Sequence, residues 1–326
     1  MFSFDYPLIK KKLSQRRNII ITTHKSPDGD ALGSSLALFH ALSSFHDVSV
    51  IVPNDYPHYL KWLPGNNNVF IYEGNEQESD KLINQSDIIF CLDFNKVYRV
   101  DTMEVVLQKN QSYKIMIDHH QDPDDFCDQV LSNSNIASTA ELIHDFLKEI
   151  DCRFNQEIAT CLYTGIVTDT GSFKYSGVTS KTHEVISYLM KFDINHTLIH
   201  NNLFDNQNKS RFDLLRVCLN NLTLIKEKNA AIIFLKEKDL IEFNYQKGDS
   251  EGFVNFPLSL KNITISIFLV EFKDGIKLSF RSQSDFDVNM FAKKYFNGGG
   301  HKNAAGGFLN YRNIDKALDY VRTCFQ

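Results

Sequence analysis

The 326-residue chain has few cysteines, and they form no paired motif. None of the six cysteines belongs to a C-x-x-C pair, which argues against a thiolate zinc site and a disulfide framework. No stretch approaches the roughly 20 continuous apolar residues of a membrane-spanning helix. The N-terminus also lacks the basic-then-apolar order of a signal peptide. These absences predict a cytoplasmic protein with reduced thiols.

The chain also has no excess of positive charge. Its 35 Lys and Arg residues stand against 40 Asp and Glu residues, so the net charge is −5. Such a chain has no global basic field for binding long duplex DNA. With 43% hydrophobic and 23% charged residues, it has the composition of an ordinary globular protein. Its length predicts about two domains.

Short apolar runs alternate with helical patterns in the first part of the chain. We predict strands at 19–23, 48–52, 88–93 and 113–118, and helices at 31–45, 139–150, 155–167 and 182–192. Fully apolar strands separated by helices are typical of a parallel sheet covered on both faces. The sequence therefore predicts an α/β fold whose mainly parallel sheet is flanked by helices.

The pattern changes near residue 192. A polar, Asn-rich and helical segment at 192–222 predicts a linker between a first domain, 1–191, and a second domain, 223–326. In the second domain we predict strands at 230–235, 263–271 and 276–281. Helices at 288–296 and 314–325 should flank a glycine-rich turn. This pattern predicts a smaller α/β domain.

Aspartate and histidine residues are concentrated in four segments that each follow an apolar run. The segments are HKSPDGD at 24–30, Asp93, Asp118-His119-His120, and TDTG at 168–171. Singly, each has an ordinary explanation as a turn, a helix cap or a surface histidine. In open α/β sheets, however, ligands bind beyond the carboxyl ends of the strands. Carboxylates gathered there cannot all ionise unless cations lie between them.

These residue types predict a two-metal centre. Carboxylates and imidazoles without thiolates favour Mn²⁺, with Mg²⁺, Co²⁺ or Fe²⁺ as alternatives. Five carboxylates and three imidazoles exceed the needs of one octahedral ion, whereas two ions bridged by a carboxylate would use them. Such a pair activates water and holds phosphoryl oxygens. The expected reaction is phosphoester hydrolysis.

The order of these motifs resembles that of the DHH phosphoesterase family. HKSPDGD, LDFNKVYR, DHH and TDTGSF follow the family order, and FNGGGHKNAAG near the C-terminus is similar to the glycine-rich motif of the DHHA1 domain. The resemblance covers about residues 18–308. It implies a DHH domain, a helical linker and a DHHA1 substrate-binding domain, with the active site in the cleft between the domains.

The resemblance also implies a role for each residue of the metal centre. Six residues would hold the ions: His24, Asp28 and Asp93 for one, and Asp30, Asp93, His119 and Asp169 for the other. Asp93 would bridge the two ions. Asp118 would orient its neighbours, and His120 would face the leaving-group or phosphate oxygens. The alternative for His120 is a purely structural partner of Asp118.

A second candidate site lies in the second domain. Consecutive glycines allow close approach of a phosphate and can present N–H groups in a nest. By resemblance, Arg281 would hold a substrate phosphate, which suits its planar guanidinium. The substrate-binding residues would be Arg281, Gly298, Gly299, Gly300 and His301. The alternatives are a flexible helix terminator and a solvated arginine.

Within the family, the chain is most like the nano-RNases and pAp phosphatases. That branch implies hydrolysis of short oligoribonucleotides to mononucleotides and of 3′-phosphoadenosine 5′-phosphate (pAp) to AMP. A soluble phosphodiesterase for cyclic-di-AMP or linear pApA and pGpG is an alternative, and an RNA-binding module is the non-enzymatic one. A RecJ-like exonuclease would need further nucleic-acid-binding domains. The polarity of degradation and a homodimer stay open.

Overall fold

The computed structural model describes residues 4–175, 177–311 and 313–325. The chain forms two compact units, Met1–Asn206 and Gln207–Gln326. In the described ranges, no helix is long and apolar enough to cross a membrane.

The first unit is built on a six-stranded sheet in which every strand pair is parallel. The strands are β1 (Asn18–Thr22), β2 (Asp47–Val52), β3 (Val69–Ile71), β4 (Ile88–Leu92), β5 (Tyr113–Asp118) and β6 (Gln129–Ser132). Their spatial order is β3-β2-β1-β4-β5-β6. The direction of winding therefore reverses between β1 and β4, and such a switch point is where open α/β sheets bind ligands.

Helices cover both faces of this sheet. They are α1 (Tyr6–Leu13), α2 (Gly29–Leu42), α3 (Glu76–Asn84), α4 (Glu104–Lys109), α5 (Thr139–Glu149), α6 (Gln156–Asp169), α7 (Ser180–Leu189) and α8 (His196–His200). In β1, Ile19 and Ile21 enter one buried cluster, whereas Ile20 enters the other. This alternation explains why the strands are apolar throughout. The predicted parallel α/β fold is confirmed.

Helices α2 and α6 approach closely through glycines. A Cβ on Gly33 would lie 2.5 Å from the carbonyl oxygen of Cys161 and 2.9 Å from the backbone nitrogen of Gly165, and one on Gly165 would lie 3.0 Å from Asp30 Oδ1. Only hydrogen side chains fit at such separations. This packing holds the first turn of α2, which carries Asp30, against the helix that ends at Asp169.

The second unit contains a mixed sheet. Its strands are β7 (Thr223–Ile225), β8 (Ala230–Leu235), β9 (Ile265–Phe272), β10 (Gly275–Ser282), β11 (Gly299–His301) and β12 (Ala304–Leu309), in the order β11-β12-β10-β9-β8-β7. Among the described strands of this sheet, only β8 and β9 pair in parallel. The helices are α9 (Lys209–Asn220), α10 (Glu237–Glu242), α11 (Val288–Tyr295) and α12 (Ile314–Cys324). The predicted smaller α/β domain is confirmed.

Two regions differ in detail from the sequence prediction. The glycine-rich turn expected between the last two helices contains the β11–β12 hairpin. The segment predicted as a linker contains α8, a π-helical turn at Asn201–Asp205, and α9. The division between the two compact units falls inside it, after Asn206.

Candidate metal centre

Predicted site residues lie at the carboxyl ends of three neighbouring strands. His24 follows β1 by two residues, Asp93 comes directly after β4, and Asp118 is the last residue of β5. Because β1 and β4 flank the switch point and β5 lies next to β4, these side chains project into one crevice. Asp169, at the end of α6, completes the group.

Asp93 lies at the centre of the cluster. Its Oδ2 is 3.3 Å from His24 Nε2, and its Oδ1 is 3.6 Å from His119 Nε2. Thr139 Oγ1 donates a hydrogen bond of 2.8 Å to the same Oδ1. The backbone of Asp93 has a φ of +63°, which few non-glycine residues adopt. Such strained residues are concentrated at functional sites.

Three groups of possible metal ligands share this aspartate, and in each the ligand atoms lie within 4.8 Å of one another. Two of them consist of predicted ligands, with His24, Asp28 and Asp93 in one and Asp30, Asp93 and His119 in the other. The third joins Asp93 to Asp118 and His120. The sixth predicted ligand is adjacent, since Asp169 Oδ2 lies 3.4 Å from His119 Nε2. The structure thus brings all six together in a set of oxygen and imidazole donors that suits Mn²⁺ or a similar ion.

Helix N-termini hold two of the carboxylates in place. Asp28 caps α2, where its Oδ1 accepts hydrogen bonds from the backbone N–H groups of Asp30 and Ala31 at 3.1 and 3.0 Å. The carboxylate of Asp30 accepts from the N–H groups of Thr139 and Ala140, at 2.6 and 2.8 Å, in the first turn of α5. Exposed N–H groups and the helix dipole both favour negative charge there.

Asp118 holds His120. Its Oδ1 lies 2.7 Å from His120 Nδ1, and its Oδ2 accepts a hydrogen bond of 2.9 Å from the backbone N–H of the same histidine. Asp118 is fully buried. A carboxylate in this position sets the orientation of the ring and its tautomer. His120 Nδ1 also lies 3.8 Å from Asp93 Oδ1, so the ring borders the ligand cluster.

The cluster contains an excess of buried negative charge, which shifts the pKa values of its members. Burial raises the pKa of Asp30 well above its usual range, and the charges of Asp93 and Asp169 raise it further. Burial opposes ionisation of Asp93, but the hydrogen bond with His24 and the neighbouring imidazoles hold its pKa below the usual range. Burial would lower the pKa of His119, yet the nearby carboxylates raise it. Buried negative charge of this kind is stabilised by cations.

Two further residues of this region, Thr139 and Arg99, are not among those predicted from the sequence. Thr139 is fully buried and bonds to Asp93, a partner 46 positions away that no local pattern reveals. Arg99 ends the LDFNKVYR motif. Burial lowers the pKa of His120 and the charge of Arg99 lowers it further, whereas at His24 burial and Arg99 only partly offset the carboxylates that raise the pKa. A basic residue inside an otherwise acidic motif was a signal that could have found it.

The predicted substrate-binding residues of the second unit lie at one end of its sheet. Arg281 on β10 is paired with Ala304 on β12, which is paired with His301 on β11. Directly opposed residues project from the same face, so Arg281 and His301 flank Ala304 at about 10 Å from each other. The neighbouring Phe280 enters the core on the other face. This arrangement leaves Arg281 half-exposed on a face of the sheet.

Two of the predicted substrate-binding glycines, Gly298 and Gly300, lie where the backbone is closely packed. A Cβ on Gly298 would lie 1.9 Å from the carbonyl oxygen of Gly306. The N–H of Gly298 donates to the carbonyl of Ala292, and that of Gly300 donates to Asn289 Oδ1. These two N–H groups are therefore used within the fold, by acceptors on α11.

Comparison with known proteins defines the class of this one. A family model described as the DHH family, N-terminal domain, matches residues 18–166, and a DHHA1 domain model matches residues 223–326. Together with the relatives described next, these matches show that the chain belongs to the DHH phosphoesterase family and is a phosphoric ester hydrolase. The family expected from the sequence motifs is confirmed.

Particular relatives resemble the chain over nearly its whole length. It is 30% identical to the probable bifunctional oligoribonuclease and PAP phosphatase NrnA of Streptococcus mutans, covering 92% of each chain. It is 29% identical to NrnA of Thermus thermophilus, covering 93% of this chain and 87% of that one. A crystal structure of an exopolyphosphatase-related protein from Bacteroides fragilis matches with a TM-score of 0.92 and 40% identity, covering 98% and 94% of the two chains.

Proposed function

We propose that this protein is a Mn²⁺-dependent, two-metal phosphoesterase that hydrolyses short oligoribonucleotides to mononucleotides and pAp to AMP. The observation that carries the chemistry is that Asp93 is shared by both groups of predicted ligands, each of which could hold a metal ion. The substrate class is supported by similarity to NrnA proteins along both domains. A cytoplasmic location belongs to the same proposal, because such nucleotides are cytoplasmic.

In this proposal the first domain carries out the reaction. The two ions, one on His24, Asp28 and Asp93 and the other on Asp30, Asp93, His119 and Asp169, would activate water and withdraw charge from the phosphoryl oxygens. Asp118 fixes the ring of His120 through Nδ1, which directs Nε2 to the leaving-group or phosphate oxygens. Burial lowers the pKa of His120, but an approaching phosphate anion favours the protonated ring, which then donates to it.

The second domain would bind a phosphate-bearing end of the substrate. Arg281 supplies a planar guanidinium that matches phosphate oxygens, and His301 lies on the same face with only the small Ala304 between them. The adjacent glycines keep the β11–β12 hairpin compact and add little side-chain bulk. Such an anchor would favour short substrates that carry a second phosphate.

A substrate panel tests this function. The purified full chain, loaded with Mn²⁺, is assayed on pAp, RNA dimers to pentamers, pApA, cyclic-di-AMP and bis-p-nitrophenyl phosphate. We expect the highest kcat/KM on pAp and the short RNAs. Parallel samples with chelator and with Mg²⁺ or Co²⁺ test the choice of metal.

The Asp93→Ala variant, purified in the same way, serves as the control for contaminating nucleases. A preference for cyclic-di-AMP or pApA over pAp and RNA would reassign the substrate to the dinucleotide phosphodiesterase alternative. Binding of RNA without turnover of any phosphoester, at any of these metals, would contradict the enzymatic proposal.

A further inference from the structure

Arg99 is an arginine with no partner near an acidic centre. It is half-buried, and within residues 4–175, 177–311 and 313–325 its guanidinium makes no hydrogen bond, ion pair or ring contact. The lysines beside it behave differently. Lys25 Nζ lies 2.6 Å from Asp101 Oδ2, and Lys96 Nζ lies 2.8 Å from Asp124 Oδ1. Within the described residues, the guanidinium of Arg99, which can bind an oxyanion through two parallel N–H groups, is thus left without a partner.

The backbone around Arg99 is fixed to both neighbouring ligand loops. The N–H of Lys25, the residue after His24, donates to the carbonyl of Arg99 at 2.7 Å. On the other side, the N–H of Asp124 donates to the carbonyl of Asn95 at 2.8 Å, which ties the segment to the loop after the DHH motif. The backbone of Arg99 is therefore held between these two loops, and its side chain extends from a fixed position.

The position of Arg99 becomes unfavourable once metal ions occupy the centre. Its backbone is bonded to the residue after His24, and its charge opposes protonation of His24, whose pKa is raised overall, and of His120, whose pKa burial lowers, so the guanidinium is within electrostatic reach of the centre. A guanidinium beside bound metal cations is repelled unless an anion joins them. Buried or half-buried arginines are normally paired with carboxylate or phosphate. The substrate itself is the anion that this centre is built to receive.

We propose that Arg99 binds a non-bridging oxygen of the phosphate that is being hydrolysed, an inference that rests on the proposed phosphoesterase function. Arg99 and Arg281 then have different tasks. Arg99 holds the reacting phosphate, which every substrate has, whereas Arg281 holds a second phosphate, which only some substrates have. Donors aimed at the charge of a reacting centre contribute strongly to rate.

The test uses Mn²⁺-loaded Arg99→Ala and Arg99→Lys with wild-type enzyme. We expect Arg99→Ala to lower kcat/KM by about 10²-fold on bis-p-nitrophenyl phosphate and on pAp alike, and Arg99→Lys to lose less. Added guanidinium ion should restore part of the Arg99→Ala activity. Lys109→Ala, which removes the same charge from an exposed position at the end of α4, should match wild type.

A binding measurement separates substrate contact from a structural role. Calorimetric titration of the Mn²⁺-loaded proteins with inorganic phosphate should show Kd raised about tenfold by Arg99→Ala, or about 1.4 kcal/mol, with Mn²⁺ affinity not weakened. Unchanged phosphate affinity, or activity lost only because Mn²⁺ binds more weakly, would overturn the proposal. Wild-type activity of Arg99→Ala would also overturn it.

The same measurements distinguish the proposed role of Arg99 from the proposal that pAp and short RNAs are the substrates. If the wild type hydrolyses bis-p-nitrophenyl phosphate but neither pAp nor short RNA, the substrate proposal fails, and the Arg99 losses on the ester still support the inference. If the wild type turns over pAp and RNA while Arg99→Ala equals it, the function stands and the role of Arg99 is rejected.

Discussion

The two domains hold their candidate functional residues in opposite ways. In the first domain, Asp30, Asp93 and Asp118 are 1%, 2% and 0% exposed, and each carboxylate accepts hydrogen bonds from backbone or side-chain donors. In the second, Arg281 and His301 are half-exposed on a sheet face, and the Arg281 guanidinium donates a hydrogen bond to the carbonyl of Phe280, the residue next to it. One site is pre-organised, and the other is open.

This difference indicates that the first domain determines the rate of hydrolysis, whereas the second determines which substrates are preferred. When one buried carboxylate is removed, its fixed hydrogen-bond donors and the neighbouring imidazoles are left without their partner. The remaining ligands then no longer have the charge balance that a metal ion needs. An open arginine can be removed without leaving an unpaired buried charge. Changes in the first domain should therefore affect every phosphoester equally, whereas changes in the second should discriminate between substrates.

The largest effect is expected from Asp93→Ala. Because Asp93 is shared by both ligand groups, its loss should uncouple the two ions and lower kcat/KM more than Asp28→Ala does. We expect a loss above about 10³-fold, equivalent to ~4 kcal/mol of transition-state stabilisation. The measurement is turnover of bis-p-nitrophenyl phosphate by chelator-treated, Mn²⁺-reconstituted enzyme.

Circular dichroism of both aspartate variants controls for unfolding. Near-wild-type turnover by folded Asp93→Ala would remove the basis for a bridged pair of ions, and with it the idea that the first domain acts as one unit.

The next largest effect concerns pH. Burial acts to lower the pKa of His24 and of His119, but neighbouring carboxylates raise both above the usual value. Protons therefore compete with metal at a higher pH than for a free imidazole, and Mn²⁺ affinity should fall as pH decreases. We expect about a tenfold loss of affinity per pH unit for each proton displaced.

Titrations of activity against Mn²⁺ at about pH 8, 7 and 6 measure this competition. Excess Mn²⁺ should recover part of the activity at the lowest pH. Acid inactivation that is indifferent to Mn²⁺ would show that another group limits the rate, and folding is checked separately in metal-free protein.

A smaller effect should follow from Gly33→Ala, which tests the support behind the first site. The added Cβ would lie 2.5 Å from the Cys161 carbonyl oxygen and 2.9 Å from the backbone nitrogen of Gly165, so α2 must move away from α6. We expect the free energy of unfolding to fall by about 2 kcal/mol, measured by urea denaturation, together with weaker Mn²⁺ binding because Asp30 moves with α2.

Gly177→Ala is the matched control, since its Cβ would have ordinary contact at 3.7 Å with Ala137. Equal stability of the Gly33 and Gly177 variants would show that the helix pair is loosely packed and that the first site is less rigid than its hydrogen bonds indicate.

The sequence predicts the fold and the ligands because their signals are local. Apolar runs mark β1, β2, β4 and β5, and the ligands lie in short motifs at the ends of such runs. The edge strands β3 and β6 escape prediction because they have only three and four residues. The sequence-based helix limits also differ from those observed, as in α2, which begins at Gly29 because Asp28 caps it.

What the sequence did not predict depends on distant contacts. The reason for glycine at 298 is a backbone carbonyl eight positions later, and the role of Thr139 depends on Asp93. The significance of Arg99 lies in a partner that is missing from the described chain. Such properties arise only when segments far apart in sequence are brought together.

The smallest expected effect, and the sharpest test of the comparison, is that of Arg281→Ala. If Arg281 binds a second phosphate, its removal should raise KM about tenfold for pAp and for a trinucleotide. It should lower kcat as well where anchoring also aligns the scissile phosphate, since remote binding energy can be expressed at the reacting centre. Bis-p-nitrophenyl phosphate has no second phosphate, so its turnover should hardly change.

Lys277→Ala is the control, because Lys277 lies on the same face of β10, four residues away, and is exposed. Comparable losses on pAp, the trinucleotide and the small ester would mean that Arg281 supports folding or the metal centre. The second domain would then belong to the pre-organised machinery, and selection by substrate length would need another explanation. A loss confined to pAp and the trinucleotide would instead show that Arg281 in the second domain recognises the substrate. Unchanged turnover of the small ester would show that the metal centre of the first domain is intact.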